Sequence, residues 1–157
     1  MNIETVPIET PPEYNVIIGT SHFIKTVRDL SQVVETIPDV KYGLAFCEAS
    51  GSRLIRSAGN DPEVTELAEQ QAKKIACGHS FIIILKNAFP IKILNDIKNV
   101  EEVCTVHCAT ANPLKVVVAE ENDQRGIIGV LDGQIPLGVE TPEDIQAREE
   151  LLKKLGY

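Results

Sequence analysis

The stretch Tyr42-Gly43-Leu44-Ala45-Phe46-Cys47-Glu48-Ala49-Ser50-Gly51-Ser52-Arg53-Leu54-Ile55-Arg56-Ser57 decides the fold class of this chain. The apolar run 42–48 and the run 53–57 predict two successive strands, and the small residues between them predict a hairpin-like turn. Two strands in succession interrupt the alternation of strand and helix that a doubly wound parallel sheet requires. The stretch therefore favours an α+β fold.

Apolar runs and helical periodicity predict the other elements on either side of this stretch. Strands are predicted at 15–19, 81–85, 103–110, 114–120 and 126–131, and helices follow Thr26, Asp61, Pro90 and Thr141. The run 81–85 is apolar at every position, which is typical of a central strand covered on both faces. The predicted order is βαββαβαβββα, in a single α+β domain (14–157) with a mixed β-sheet of about seven strands and helices packed on it.

Residues 1–13 are predicted to form an N-terminal arm. This segment contains Pro7, Pro11 and Pro12 among acidic side chains. Proline lacks the N–H that a strand ladder needs, and the segment shows no apolar period. The domain is therefore expected to begin at residue 14.

Composition and charge exclude several classes of partner. A chain of 157 residues with a net charge of −8 is poorly suited to a polyanion, because nucleic-acid affinity depends on Lys and Arg neutralising phosphates. Aromatic residues are 4% of the chain and there is no Trp, so a stacking platform for single-stranded nucleic acid is not expected. No apolar run approaches the roughly 18 residues that span a bilayer. We expect neither nucleic acid nor a membrane as partner.

The four cysteines indicate a reduced protein rather than a metal site. The acidic, proline-containing N-terminus does not resemble a signal peptide, so we expect a cytoplasmic location. Cys104 and Cys108 flank His107, but on a strand their side chains lie roughly 13 Å apart, beyond the reach of one ion. No tightly bound metal is expected.

A candidate site is predicted where the strands finishing at Gly19, Glu48 and Thr110 end. The loop after Gly19 carries Ser21, His22 and Lys25 before a helix start, where free N–H groups favour an anion. The alternative is that Ser21 merely caps the helix and Lys25 is solvated.

Glu48 is the central residue of this candidate site. At the end of an apolar strand, desolvation is expected to raise its pKa and suit it to general-base chemistry or to binding a ribose diol. The alternative is an ion pair with Arg53 or Arg56 across the hairpin. Asp61 is either a second carboxylate of the site or only the N-cap of its helix, and His79 belongs to the site or to the core.

No familiar phosphate-binding motif is present. The chain has neither a G-x-x-x-x-G-K-[ST] loop nor a G-x-G-x-x-G turn after a strand. The glycines of Arg125-Gly126-Ile127-Ile128-Gly129 lie in a predicted strand, where they mark close packing more often than a ligand. The residues by themselves therefore name no phosphoryl-donor site.

Long strings of residues resemble a known family. They are Ser-His-Phe-Ile-Lys-Thr at 21–26, Gly-Leu-Ala-Phe-Cys-Glu-Ala-Ser-Gly at 43–51, Gly-His-Ser-Phe at 78–81, Asn-Ala-Phe-Pro-Ile at 87–91, Cys-Ala-Thr-Ala-Asn-Pro at 108–113 and Arg-Gly-Ile-Ile-Gly-Val at 125–130. With these strings the chain resembles the adenosine-specific kinases, small archaeal and bacterial proteins, over about residues 5–157.

The resemblance implies adenosine binding and ATP-dependent phosphorylation to AMP, with Mg²⁺ by analogy to other kinases. In that interpretation Glu48 or Asp61 takes the proton of the ribose 5′-hydroxyl, and Lys25 with Arg53 steadies the transferring phosphoryl group. The expected substrate-binding residues are Ser21, His22, Ser50, Arg53, His79, Thr110 and Asn112. The alternative function is a nucleoside sensor or buffer without turnover. A homo-oligomer is also expected, because apolar strands outnumber the helices available to cover them.

Overall fold

Eight strands and four α-helices follow one another along the chain in the computed structural model, which describes residues 1–157. The strands are β1 Asn2–Ile8, β2 Asn15–Ser21, β3 Tyr42–Cys47, β4 Ile55–Gly59, β5 Ser80–Leu85, β6 Val103–Thr110, β7 Leu114–Glu121 and β8 Gln124–Asp132. The helices are α1 Thr26–Val34, α2 Pro62–Ile75, α3 Leu94–Lys98 and α4 Pro142–Lys154, and a 3₁₀ turn spans Pro90–Lys92.

The strands are divided between two sheets. The larger sheet has the order β4-β3-β5-β2-β6, the smaller sheet has the order β1-β7-β8, and all neighbouring strands are antiparallel. The α+β class and the hairpin of residues 42–59 are confirmed. The expected strand count of about seven is close to the observed eight, although the strands form two sheets rather than one. In the smaller sheet, the short loop after β7 reverses the chain and makes β8 an antiparallel neighbour of β7, and β1 pairs with the other edge of β7.

Strand β1 replaces the predicted N-terminal arm. It pairs with β7 from Asn2 opposite Glu120 to Ile8 opposite Leu114, and Val6 is buried. Pro7 fits because β1 is the edge strand of its sheet, where a missing N–H donor leaves no partner unsatisfied. The expectation of an arm without ladder pairing is therefore wrong for residues 2–8.

The larger sheet is covered on both faces. Ile82 and Ile84 of β5 pack with α2 and the smaller sheet, whereas Ile83 and Leu85 pack with α1 and α3. Every residue of β5 is buried, as expected for a central strand. Burying an isoleucine side chain stabilises a fold by roughly 1.5–3 kcal/mol, so these alternating residues fix the position of β5 in both layers.

Helix α2 begins at a capped N-terminus. The carboxylate of Asp61 accepts hydrogen bonds from the N–H groups of Glu63 and Val64, and Pro62 occupies the first helical position. Ala76, at φ +50°, ends the helix in the left-handed region. Asp61 thus has the capping role that was its alternative assignment.

None of the helices combines the length and the apolar character needed to cross a bilayer. Helix α4 differs from the others because none of its residues is buried.

Candidate functional site

One edge of the larger sheet brings three predicted site segments together. Strands β2 and β3 both run antiparallel to β5, which lies between them, so their carboxyl ends meet the start of β5. The N–H of His79 donates to the carbonyl of Cys47 at 2.7 Å, and the carbonyl of His79 accepts from the N–H of Ser21 at 2.8 Å. His79 therefore links the ends of β2 and β3.

A cavity of about 260 Å³ opens at this edge, and we call it the aromatic cavity. Its lining residues are His22, Phe23, Ile24, Phe46, Glu48, Ala49, Ser50 and His79. The rings of Phe46 and His79 are stacked, with centroids 6.2 Å apart and planes at 12°. Phe23 presents an exposed ring to the same space. Such a set of aromatic faces suits a flat heterocycle.

The position of the His79 ring depends on a tight turn. His79 has φ +66°, in the left-handed region where histidine is one of the enriched side chains. The turn is closed by Ser80, whose N–H and Oγ both donate to the carbonyl of Cys77, at 3.2 and 2.7 Å. Backbone held in this region clusters at ligand sites, so the turn marks His79 as a candidate binding residue.

A second cavity of about 570 Å³ adjoins the first, and we call it the basic cavity. It lies between the β3–β4 turn, the carboxyl end of α2 and the β7–β8 turn. Its charged lining residues are Glu48, Arg53, Lys73, Asp123 and Arg125. Arg125 is held by Glu4, by Glu120 and by the carbonyl of Ile75. Neither Arg53 nor Lys73 takes part in an ion pair, so both cations can meet an anionic ligand.

Glu48 lines both cavities and is already hydrogen-bonded. Its Oε2 accepts from the N–H of Leu54 at 2.8 Å, and its Oε1 accepts from Nε of Arg56 at 3.0 Å. Nη2 of the same guanidinium lies 3.0 Å from Oε1 in an ion pair. The Leu54 N–H and then the Arg56 guanidinium lower the pKa of Glu48 below its usual value. The expectation that desolvation raises this pKa is wrong, because these bonds to the charged form outweigh the effect of burial. The ion pair across the hairpin, which was the alternative role of Glu48, is observed with Arg56.

Gly78 permits the two cavities to lie side by side. A Cβ at this position would lie 2.9 Å from Cβ and 3.1 Å from Cα of Ala49, which lines both cavities. Any larger residue would push the β3–β4 turn away from the carboxyl end of α2.

Four of the predicted site residues, His22, Glu48, Ser50 and His79, line the aromatic cavity, and Arg53 lines the basic cavity. Ser21 and Lys25, on either side of His22 between β2 and α1, line neither cavity. Ser21 is fully buried, donates to the carbonyl of Glu102 at 2.9 Å and contacts Oγ1 of Thr26, so it holds the loop from inside. Lys25 forms an ion pair with Asp29 at 3.2 Å, which raises the Lys25 pKa, and it faces α1 rather than either cavity.

Thr110 and Asn112 lie at the opposite end of the larger sheet. Thr110 is paired with Val16 at the beginning of β2, because β6 runs antiparallel to β2. Its hydroxyl donates to Asp132 at 2.7 Å and accepts from the N–H of Asn112 at 3.0 Å. The expectation that the ends at Gly19, Glu48 and Thr110 share one edge is therefore wrong for Thr110.

Asp61 is also remote from Glu48. It follows β4, which runs antiparallel to β3, so it lies at the edge where β3 begins. There its carboxylate is 3.7 Å from Nζ of Lys86. The structure separates the two carboxylates that the sequence offered as alternatives for one proton transfer.

Sequence reasoning missed Phe23, Phe46, Lys73 and Asp123 as lining residues. An apolar pair, Phe23-Ile24, in an otherwise polar loop was an available signal, because exposed aromatic residues beside a helix start favour binding. Lys73 and Asp123 carry no such local signal, since only the contact between α2 and the β7–β8 turn brings them together.

The chain matches the family model described as adenosine specific kinase over residues 6–157, so it belongs to that family. It is similar to the PH1918 protein from Pyrococcus horikoshii OT3, known from a crystal structure, at 45% sequence identity and a TM-score of 0.95. That likeness covers 99% of this chain and 97% of the other. A comparison with curated proteins gave no significant match.

Proposed function

We propose that the protein binds adenosine in the aromatic cavity and phosphorylates it to AMP with ATP bound in the basic cavity. Family membership supports the substrate. The observation that carries the arrangement is that Glu48 lines both cavities, so a group in one is next to a group in the other. The basic cavity falls within the roughly 300–1,000 Å³ typical of small-molecule sites.

The aromatic cavity suits the nucleoside. Stacking of a base on aromatic rings is worth roughly 1–3 kcal/mol per base. The exposed Phe23 and the half-buried His79 offer such rings, and the buried Phe46 supports His79 from behind. The ribose then lies toward Glu48, whose carboxylate oxygens have lone pairs left to accept from sugar hydroxyls. Ser50 can bond the same hydroxyls.

The basic cavity suits the phosphoryl donor. Arg53 and Lys73 can contact phosphate oxygens through charge-assisted hydrogen bonds. Mg²⁺ in such sites is usually held by one or two carboxylates together with substrate phosphates. Asp123 lines the cavity, takes part in no ion pair and would be the carboxylate that holds Mg²⁺, which when bound neutralises phosphate charge.

The reaction is an in-line displacement. The ribose 5′-oxygen attacks the γ-phosphorus, a new P–O bond forms, and the bond to the leaving oxygen of ADP breaks. Because its lowered pKa makes Glu48 a weak base, Glu48 orients the 5′-hydroxyl, and the imidazole of His79 or His22 takes the hydroxyl proton. Arg53 and Lys73 stabilise the charge on the transferring group.

A second candidate is a nucleoside-binding protein without turnover. One observation favours it: both Glu48 oxygens already accept hydrogen bonds, so the aromatic cavity lacks an uncommitted carboxylate base. Binding in the aromatic cavity does not need that base.

Titration calorimetry with adenosine, guanosine and uridine, followed by an assay for AMP from adenosine and Mg²⁺–ATP, separates the candidates. We expect selective adenosine binding and ATP-dependent AMP formation. The nucleoside 5′-deoxyadenosine is the matched control, because it keeps the base and lacks the acceptor oxygen, and it should bind without being phosphorylated. Adenosine binding without AMP formation would decide for the sensor, and no binding would reject both.

The four cysteines are all unpaired, including the exposed Cys104. Free thiols persist in reducing compartments, so we propose a cytoplasmic location. Cell fractionation tests this location.

A further inference from the structure

One wall of the aromatic cavity is the loop of residues 22–24, which is held in place by the backbone carbonyl of Glu102. The N–H of His22 donates to this carbonyl at 3.0 Å, and the hydroxyl of Ser21 donates to it at 2.9 Å. Ser21 and Glu102 are both buried, so the anchoring point lies inside the protein. The place of the loop at the cavity therefore depends on the position of residue 102.

The side chain of Glu102 is buried beside a second carboxyl group. Its Oε1 is shielded from solvent and has no hydrogen-bond partner. Its carboxyl group faces that of Asp29 on α1, close enough for a hydrogen bond between the two side chains. A carboxylate only accepts hydrogen bonds, so a bond between two carboxyl groups requires a proton on one of them. The contact between Asp29 and Glu102 therefore holds one shared proton.

The charged neighbours place this proton on Glu102. Nζ of Lys25 lies 3.2 Å from one oxygen of Asp29, and Nε of Arg28 lies 3.6 Å from the other, so Asp29 keeps its charge. Glu102 takes part in no ion pair. Burial and then the Asp29 carboxyl raise the pKa of Glu102, whereas its own backbone N–H and Lys25 lower it by less. The adjacent Glu101 is exposed.

We propose that the Asp29–Glu102 pair is a positioning element that holds the wall of the aromatic cavity and releases it as the pH rises. With the shared proton, the pair fixes residue 102 and, through its carbonyl, the loop of residues 22–24. Without the proton, two like charges face each other inside the protein, which favours opening of the segment toward water. A group whose pKa is raised in one form favours that form at low pH and loses the effect as pH rises through that pKa.

The loop carries side chains that the proposed function uses. Phe23 offers a ring to the base, and the imidazole of His22 is one of the two candidate acceptors of the hydroxyl proton. The consequence for ligand binding rests on the proposed function, whereas the release of the loop does not. We therefore expect adenosine to bind more weakly when Glu102 is ionised than when it is protonated.

Amide hydrogen exchange, measured by NMR on the full-length protein, tests the release of the loop. We expect the protection of the His22 amide, corrected for the intrinsic rate, to fall by about tenfold between pH 5 and pH 8, the factor that corresponds to one pKa unit. Glu102→Gln mimics the protonated pair and should show equal protection at both pH values. Asp29→Asn removes the like charge and should also abolish the fall. Glu101→Gln, the matched control, should behave like the parent.

Titration calorimetry with adenosine tests the consequence for the site. His22 and His79 also titrate in this range, so the parent is compared with Glu102→Gln at each pH. The parent's Kd divided by that of Glu102→Gln should be close to one at pH 5 and about ten at pH 8.

The outcomes separate this proposal from the proposed function. Equal protection of the His22 amide at both pH values in the parent would overturn the release of the loop, and so would an equal fall in Glu102→Gln. Adenosine binding with the same Kd ratio at both pH values would overturn the effect on the site. Absence of adenosine binding at either pH would reject the proposed function, while the His22 amide still decides whether the pair holds the loop.

Discussion

Arg56 holds Glu48 across the β3–β4 hairpin, with Nε and Nη2 each 3.0 Å from the same carboxylate oxygen. Glu48→Gln removes the charge that the ribose would meet while keeping the shape of the side chain. We expect adenosine affinity to fall by about tenfold or more, since a hydrogen bond to a charged group is worth that factor. Titration calorimetry measures the dissociation constant.

Arg56→Met is the matched variant, because it removes the partner and keeps the carboxylate. We expect it to bind adenosine like the parent. The loss of stability that Arg56→Met causes relative to the parent should also depend on pH. A lowered folded-state pKa contributes stability above the unfolded value, about 4.3 for Glu, and this contribution is lost as pH falls through the folded value. The melting-temperature deficit of Arg56→Met should therefore be present at pH 7 and shrink at pH 3.

For Glu48→Gln, a lower melting temperature with unchanged adenosine affinity would contradict the role in binding. Glu48 would then only stabilise the hairpin.

The stacked pair Phe46–His79 predicts a loss of affinity in His79→Asn. Asparagine tolerates the left-handed backbone of this position, so the turn should persist while the ring is lost. We expect the dissociation constant for adenosine to rise by roughly 5- to 150-fold, the range that base stacking provides. His107→Asn, on β6 and outside both cavities, should leave it unchanged. An equal effect of both substitutions would mean that His79 does not contact the base.

Lys73 and Lys74 form a matched pair for the donor site. Lys73 lines the basic cavity, whereas its neighbour pairs with Glu9 outside it. Lys73→Met should raise KM for ATP by about tenfold or more and leave adenosine binding intact, because only phosphate contacts are lost. Lys74→Met should change neither value. Steady-state kinetics with varied ATP provide the test. Equal KM values for the two variants would show that ATP does not bind in the basic cavity.

We expect that replacing Glu102, a buried residue next to Asp29, with a neutral side chain stabilises the protein to an extent that depends on pH. Glu102 is 3% exposed and its Oε1 makes no hydrogen bond. Burial and then the neighbouring Asp29 carboxylate raise the pKa of Glu102. A raised folded-state pKa contributes stability below the unfolded value, about 4.3, and that stability is lost as pH rises through the folded value.

Glu102→Gln stays neutral at every pH, so its melting temperature should exceed that of the parent at pH 8 and approach it near pH 4. Differential scanning calorimetry at both pH values measures the difference. Glu101→Gln, at the adjacent exposed position, should show no such trend. A difference that is the same at both pH values would contradict the assignment.

Much of the fold was predictable because its decisive signals are local. The hairpin of residues 42–59 and the central strand β5 each show their burial pattern within a few consecutive residues. Strand β1 was not predictable in this way, because Pro7 argues against a strand unless the strand is known to lie at an edge.

The candidate site was predictable only in part. Glu48 and His79 flank apolar strands, which the sequence shows. Thr110 also ends a strand, but whether it shares their edge depends on the direction of β6 beside β2, which periodicity does not reveal. Lys73 and Asp123 meet through tertiary contact alone.

The pairing of β1 with β7 constrains the order in which the chain becomes ordered as it is made. Ile8 pairs with Leu114, more than 100 positions later, so the first strand to leave the ribosome lacks its neighbour until most of the chain has followed. At roughly 5–20 residues per second, this delay is on the order of 5–20 s. In refolding of the complete chain the same long separation costs loop-closure entropy before the pairing stabilises β1. We therefore expect the amides of β1 to gain protection late in pulse-labelled hydrogen exchange during refolding, and early protection would contradict this. A chain interrupted before residue 114 would keep its N-terminal segment unpaired and open to proteolysis.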